Sequence, residues 1–370
     1  MRSKLGQLFF IGISGPSLTK DERKFIIENN IGGVVLFSRN VSSPEQVHAL
    51  CTELQALRHD MPDKAPLFIA IDMEGGRVAR LKAPFTLWPP LKHLGDIDSP
   101  TLSFHFAQSM GAELRAVGLN LDFAPCVDTF TNPLNTVIGD RAISTDPEMV
   151  AKHATALVRG YMKAGVVPCA KHFPGHGHTL IDSHYDLPVE EADLARLQSV
   201  ELKPFAKSFR ARVPMVMTGH ISFPNVDPEW PVTLSEIFLK KIARQDMRYK
   251  GLIITDDLDM EALSKHYDAE KVPVRSLQAG ADILLYCNEP TSPPKAFAGV
   301  EKALKDKTLD WSYIDAVHER VLETKRELLA NPDPMPLAEA LRLVGHPEHQ
   351  RLSQAMRNNE VPEGLVFSES

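Results

Sequence analysis

Eight short apolar runs, spread along most of the chain, constrain its fold more than any other feature. They occupy residues 8–13, 33–37, 67–71, 119–123, 166–170, 215–217, 252–254 and 283–286 and are rich in Val, Ile, Leu and Phe. The runs are continuous rather than alternating, as in strands of a parallel sheet buried on both faces. Between most of them, apolar residues recur at helical intervals. Residues 44–57 carry Val47, Leu50, Leu54 and Leu57 behind Ser42-Ser43, and 104–117 keep the same period. Residues 149–164 follow Ser144-Thr145-Asp146-Pro147, a capping sequence ending in proline. Further helices are expected at 194–209, at 235–244 with Ser235 as cap, at 271–279, and over 299–329 in two pieces divided near Leu309-Asp310.

Eight buried strands with intervening helices predict an α/β fold, a (β/α)8 or TIM barrel. The competing architecture is a doubly wound open sheet. No GxGxxG follows the first run, and Gly12-x-x-Gly15-Pro16 lacks the spacing to cradle a pyrophosphate. The helix-stopping stretch Asn331-Pro332-Asp333-Pro334-Met335-Pro336 divides a barrel over residues 1–330 from a C-terminal extension over 331–370. The extension is too short for a core of its own and reads as a helix at 337–343 followed by a tail.

Composition narrows the function. The 370 residues carry 41 Lys plus Arg against 48 Asp plus Glu, a net charge of -7. An acidic balance argues against nucleic-acid partners, which call for a basic face, and against a polybasic membrane anchor. No run approaches the roughly 18 apolar residues of a membrane helix. Residues 8–13 are too short and lack the cleavage pattern of a signal peptide, so a cytoplasmic location is expected. The four cysteines show no CxxC spacing. Cys126, Cys169 and Cys287 lie at or near the ends of apolar runs and read as small buried hydrophobes in a reducing compartment.

Polar residues gather just after the apolar runs: IDMEGGRVAR at 71–80, FAPCVD at 123–128, KHFPGHGHTLIDSH at 171–184, Thr218-Gly219-His220, and IITDDLDM at 253–260. In a barrel these positions share the C-terminal rim, where active sites sit. The 171–184 stretch, supported by 71–80, by FAPCVD with IGDR at 138–141, and by 253–260, resembles glycoside hydrolase family 3 in its N-acetyl-β-glucosaminidase branch. The likeness spans roughly residues 5–330 and is strongest to the cytoplasmic single-domain β-N-acetylhexosaminidases of peptidoglycan recycling. One departure is Asp140, where that branch usually carries Glu.

The resemblance implies a retaining exo-β-N-acetylglucosaminidase acting on small sugar substrates such as muropeptides, with no cofactor or metal. It makes Asp256 the nucleophile and His184, oriented by Asp182, the acid/base. A carboxylate beside an imidazole favours its charged form and fixes its tautomer. Two glycines in the loop at 175–182 would let it close over a sugar. The resemblance assigns sugar binding to Asp72, Arg80, Arg141, Lys171 and His172: Asp72 as acceptor, Lys171 and His172 as donors, the two arginines as planar forks. Glu74 and Arg77 could equally pair with one another and are left out of the site, and His220 either lines the pocket or is a buried, hydrogen-bonded histidine.

Three rival readings remain at the level of sequence. His172, His176, His178, Asp182 and His184 form a ligand-rich cluster that a metal-dependent barrel hydrolase could use, though His176-x-His178 lies in a Gly-rich loop rather than at a strand end. A histidine in place of a carboxylic acid/base also removes a charge that would repel phosphate, so a phosphorylase could use the same site. A non-catalytic sugar-binding module would leave Asp256 and His184 idle.

Overall fold

The computed structural model describes residues 2–183, 185–362 and 364. All eight apolar runs become strands of one closed parallel barrel: β1 (Phe9–Gly12), β2 (Gly33–Leu36), β3 (Phe68–Ile71), β4 (Leu121–Asp122), β5 (Val167–Phe173), β6 (Met215–Thr218), β7 (Leu252–Asp257) and β8 (Ile283–Tyr286). Each strand pairs with its neighbour in sequence, and β1 closes on β8 with Phe9 opposite Leu284 and Ile11 opposite Tyr286. The fold is the (β/α)8 barrel, not the open sheet. A Cβ on Gly33 would stand 2.8 Å from the Phe10 ring, so the glycine makes room for that ring in the barrel interior.

Two strands outrun their apolar segments in a way that builds the site. β5 continues through Lys171 and His172, and β7 through Asp256 and Asp257. These polar residues stay in the sheet because they find partners at the barrel mouth. β3 is followed directly by a hairpin of Met73–Gly75 and Val78–Ala79.

The helices follow their periodicity with instructive exceptions. Ser43 and Asp146 cap Pro44–Ala56 and Pro147–Lys163 by accepting from Gln46 and Glu148 N–H groups. The expected 194–209 helix breaks into Leu194–Ser199 and Leu202–Arg210. Pro204 cannot donate back to the carbonyl four residues earlier, which favours an interruption there. Ser235 does cap, its Oγ accepting from Phe238 N at 3.2 Å, on a helix over Ile237–Asp246 wound with π-type turns. Lys20–Asn29, not expected from the periodicity, is a largely charged helix that Thr19 and Glu22 open with a reciprocal capping box. The C-terminal extension holds a second helix beyond the one expected. Behind Leu337–Leu343 comes Pro347–Arg357, started by His346 accepting from Glu348 N–H and by Pro347. Among the described residues no helix is long and apolar enough to cross a membrane. All four cysteines are buried and unbridged, and burial pushes each thiol well above its usual range.

The barrel floor holds a buried cation. Lys325 of Trp311–Leu328 donates to Gln7 Oε1 at 2.7 Å and Gly32 O at 2.8 Å, with its ammonium 5.3 Å from the Phe68 ring centre. Burial pushes Lys325 down to about 7 from 10.5, opposed only by Asp63. Between those values the unfolded chain holds the proton more tightly, so the lysine's cost to the folded state shrinks as pH rises through the window. The stability of the native protein relative to Lys325→Met should therefore improve by on the order of 1 kcal/mol per pH unit from about pH 7.5 to 9.5. Urea midpoints measure this, and parallel pH curves for the two proteins would contradict it.

Candidate active site

The C-terminal ends of the strands enclose a cavity of about 260 Å³. Asp72, Arg80, Arg141, Lys171, His172, Asp182 and Asp256 all line it, so seven of the eight residues singled out from sequence meet in one place. The eighth, His184, lies outside the described residues.

Charge pairing organises one wall. Glu74, on the hairpin after β3, is 1% exposed and accepts from Arg141 through two bonds of 2.7 and 2.8 Å. Its Oε1 also lies 2.7 Å from Lys171 Nζ. The same ammonium donates to Asp72 Oδ1 at 2.7 Å, and Arg80 reaches Asp72 Oδ2 at 3.3 Å. Burial works to raise both carboxyls, but Arg141 and Lys171 hold Glu74, and Lys171 and Arg80 hold Asp72, below the usual range. Burial alone would lower Lys171, yet Asp72 and Glu74 carry it above an ordinary lysine. Two anions and three cations thus interlock at the mouth. Among the described residues no atom is bonded to the buried Nε of Arg80, a donor on the cavity wall.

Glu74 and Arg77 do not pair with one another. Glu74 faces inward to Arg141 and Lys171, whereas Arg77 turns out to Asp140 at 3.3 Å and to the Thr136 and Val137 carbonyls. Asp140, the residue that departs from the family pattern, therefore joins an exposed pair beside the cavity rather than lining it.

Asp128 is a second hub, which sequence reasoning quoted in a motif without assigning. Its carboxylate lies 2.7 Å from His172 Nδ1 and accepts from His176 N at 2.7 Å, from His172 N at 3.2 Å and from Cys126 Sγ at 3.3 Å. Burial acts to raise it, but His172 and His176 bring it down to about 2. An ionised Asp128 takes the proton-bearing Nδ1 of His172, leaving Nε2 as an acceptor turned to Arg141 at 3.4 Å. His176 is buried and pushed down to about 4, by burial first and then by His172. Its neutral ring lies between Thr179 Oγ1 at 2.6 Å and Ser183 Oγ at 3.1 Å, tying down the loop that leads to Asp182 and position 184.

On the opposite side Asp256 is the penultimate residue of β7, and its Oδ1 accepts from Asp257 N at 2.8 Å. Asp257 also borders the cavity and accepts from Asn288 Nδ2 at 2.9 Å and Cys287 N at 3.2 Å. Burial, together with Asp259 and Asp256, raises it to about 7 against the backbone N–H donors. His220 is buried away from the cavity, between Thr233 Oγ1 at 2.7 Å and Asp257 O at 3.0 Å. It is the hydrogen-bonded histidine rather than a pocket wall.

Of the ligand-rich cluster, His172, His176 and Asp182 line the cavity, and His178 does not. His178 turns outward, its Nδ1 lying 2.9 Å from Thr131 Oγ1. Among the described residues the only grouping with metal-ligand spacing is Cys126, Asp128 and His172. There Asp128 already receives four donors, so a cation would have to displace protons the buried network uses.

The comparisons place this arrangement in a known context. The profile of the glycosyl hydrolase family 3 N terminal domain matches residues 1–324. A β-hexosaminidase of Thiobacillus denitrificans is 34% identical over 362 residues, covering 96% of this chain and 90% of its own. A family 3 β-N-acetylglucosaminidase from Paenibacillus sp. str. FPU-7 superposes with a TM-score of 0.91 at 34% identity, over 97% of this chain and 68% of that one. NagZ from Neisseria gonorrhoeae, solved in complex with N-trifluoroacetyl-D-glucosamine, matches with a TM-score of 0.77 at 31% identity, over 96% and 98% of the two chains.

Removing the hub charge tests the electrostatic account. Glu74→Gln leaves Arg141 and Lys171 short of a counter-charge and should cost about 3–5 kcal/mol of stability, the range for breaking a buried pair. Chemical denaturation at neutral pH measures the loss, and a change under 1 kcal/mol, on the order of an exposed pair, would refute it.

Proposed function

Because the chain belongs to glycosyl hydrolase family 3, we propose that it is a retaining exo-β-N-acetylglucosaminidase that releases terminal N-acetylglucosamine from glycosides and, in the cell, from muropeptides bearing anhydro-N-acetylmuramic acid. One observation carries the reading: Asp256, at the rigid end of β7, lines the same small cavity as the Asp72–Lys171–Glu74–Arg141 cluster and Asp182. A carboxylate on one wall and a hydroxyl-binding cluster on another suit a single sugar ring. The curated β-hexosaminidases and the NagZ and β-N-acetylglucosaminidase structures support the same substrate class.

In this reading Asp72 accepts from ring hydroxyls, and Lys171, Arg80 and Arg141 donate to the sugar's oxygens. His172 contributes an acceptor edge held by Asp128. His184, oriented by Asp182, gives its proton to the glycosidic oxygen as the C1–O bond breaks and Asp256 bonds to C1 from the opposite face. The leaving alcohol departs with that proton. Neutral His184 then takes a proton from water, whose oxygen attacks C1 and frees Asp256, so the product keeps the β configuration. The interlocked charges reduce the reorganisation required when substrate enters, since their positions are set before binding.

Asp256→Ala should lower turnover of an aryl β-N-acetylglucosaminide by at least about a thousandfold, as expected for loss of a covalent nucleophile. His184→Ala should hurt alkyl leaving groups far more than acidic aryl ones, which need little proton assistance. A uniform loss across leaving groups would remove His184 from the acid role. Running the same assays with and without inorganic phosphate separates hydrolysis from phosphorolysis, because only the latter yields the sugar 1-phosphate.

A further inference from the structure

We propose that the two C-terminal helices serve as a brace that sets the sugar-binding hairpin in place, with Ser353, Arg357, His349 and Glu113 as positioning residues. The inference rests on the functional reading above only where it concerns sugar affinity.

The path can be followed bond by bond. The hairpin Met73–Ala79 carries Glu74 and lies between Asp72 and Arg80. Its turn rests on the backbone of residues 88–90. Gly76 N donates to Trp88 O at 2.9 Å, and a Cβ on Gly75 would stand 2.5 Å from Pro89 O. Gly75 has φ +96 and Gly76 φ +57, so both the close approach and the backbone conformation call for glycine here. That platform is in turn held from behind by the extension. Leu87 O accepts from Ser353 Oγ at 2.7 Å and from Arg357 at 2.6 Å. The buried Trp88 ring lies edge-on to Phe106 at 5.1 Å and 6.5 Å from the His349 ring.

Glu113 fastens both parts to the barrel. Its buried carboxylate accepts from Thr86 N at 3.0 Å and Thr86 Oγ1 at 2.5 Å on the platform side. On the extension side it accepts from Gly345 N at 3.1 Å and lies 2.8 Å from His349 Nδ1. A single anion therefore receives donors from the platform and from the extension. The platform bears on the hairpin that supplies Glu74 to Arg141 and Lys171. Loosening the brace lets the hairpin shift without removing any group that touches the sugar, so the expected loss is in binding rather than in the chemical step.

The experiment uses the full-length protein with Ser353→Ala and Arg357→Ala combined, which removes both donors to Leu87 O, one buried and one exposed. Val317→Ala, on the outer helix Trp311–Leu328, serves as a control for lost stability. The double variant should raise KM for an aryl β-N-acetylglucosaminide about five- to tenfold with kcat changed less than about twofold, the signature of lost uniform binding. Ser353→Thr with Arg357→Lys, which retains both donors, should restore KM. Amide exchange read in the native protein should quicken at least about tenfold at Gly76 in the double variant but not in the control, because its bond to Trp88 O opens locally. A lowered melting temperature with unchanged KM and unchanged Gly76 exchange would overturn the brace. A native protein with no turnover at all would sink the functional reading instead and leave the exchange result to decide the brace.

Discussion

A carboxylate removed from water and gripped by two cations, Glu74 with Arg141 and Lys171, is the constraint around which the rest of the barrel mouth is arranged. Such a group is costly to bury and is tolerated only when its lone pairs are filled. Filling them takes a hairpin from after β3, a loop residue from beyond β4 and the polar end of β5. Three segments far apart in sequence must therefore arrive in register before the cluster is satisfied. Once they do, Lys171 is turned toward Asp72, and Arg80 completes the row. The charge network does more than hold the fold: it leaves a set of donors and acceptors oriented at a cavity of sugar size.

The second organising contact is softer. Asp128 gathers a thiol, two backbone N–H groups and an imidazole, and so links β5 to the loop running from His176 to Ser183. Where the Glu74 cluster shapes the binding wall, the Asp128 hub governs the segment that brings Asp182 to the cavity. Because burial keeps His176 neutral at ordinary pH, its ties to Thr179 and Ser183 are hydrogen bonds rather than ion pairs.

The barrel was legible in the sequence because strands buried on both faces leave unbroken apolar runs, and all eight were visible. Less visible were the strand ends. Lys171, His172, Asp256 and Asp257 belong to β5 and β7, but their polarity hides them from any pattern based on burial. The helix Lys20–Asn29 escaped for the opposite reason, since its mostly charged surface masks the period; the Thr19–Glu22 box was the readable signal. Asp72, Arg80, Arg141, Lys171 and His172 were found through their motifs, and they do converge. Glu74 was set aside because Arg77 stands three residues away and offered a local partner. The true partners come from distant segments, and only the tertiary structure shows that hairpin geometry sends the two side chains in opposite directions.

The four sheltered sulfurs have a practical consequence. Cys51, Cys126 and Cys169 are enclosed by packed side chains, Cys287 is buried at the edge of the cavity, and all four resist ionisation, so none presents a thiolate to an electrophile while the barrel is intact. Alkylating reagents should then leave catalysis untouched and mark only molecules that have opened. Cys51, Cys126, Cys169 and Cys287 sit at different stations around the barrel. The order in which they become labelled under denaturant would map which parts of the ring come apart first, with no foreign probe introduced.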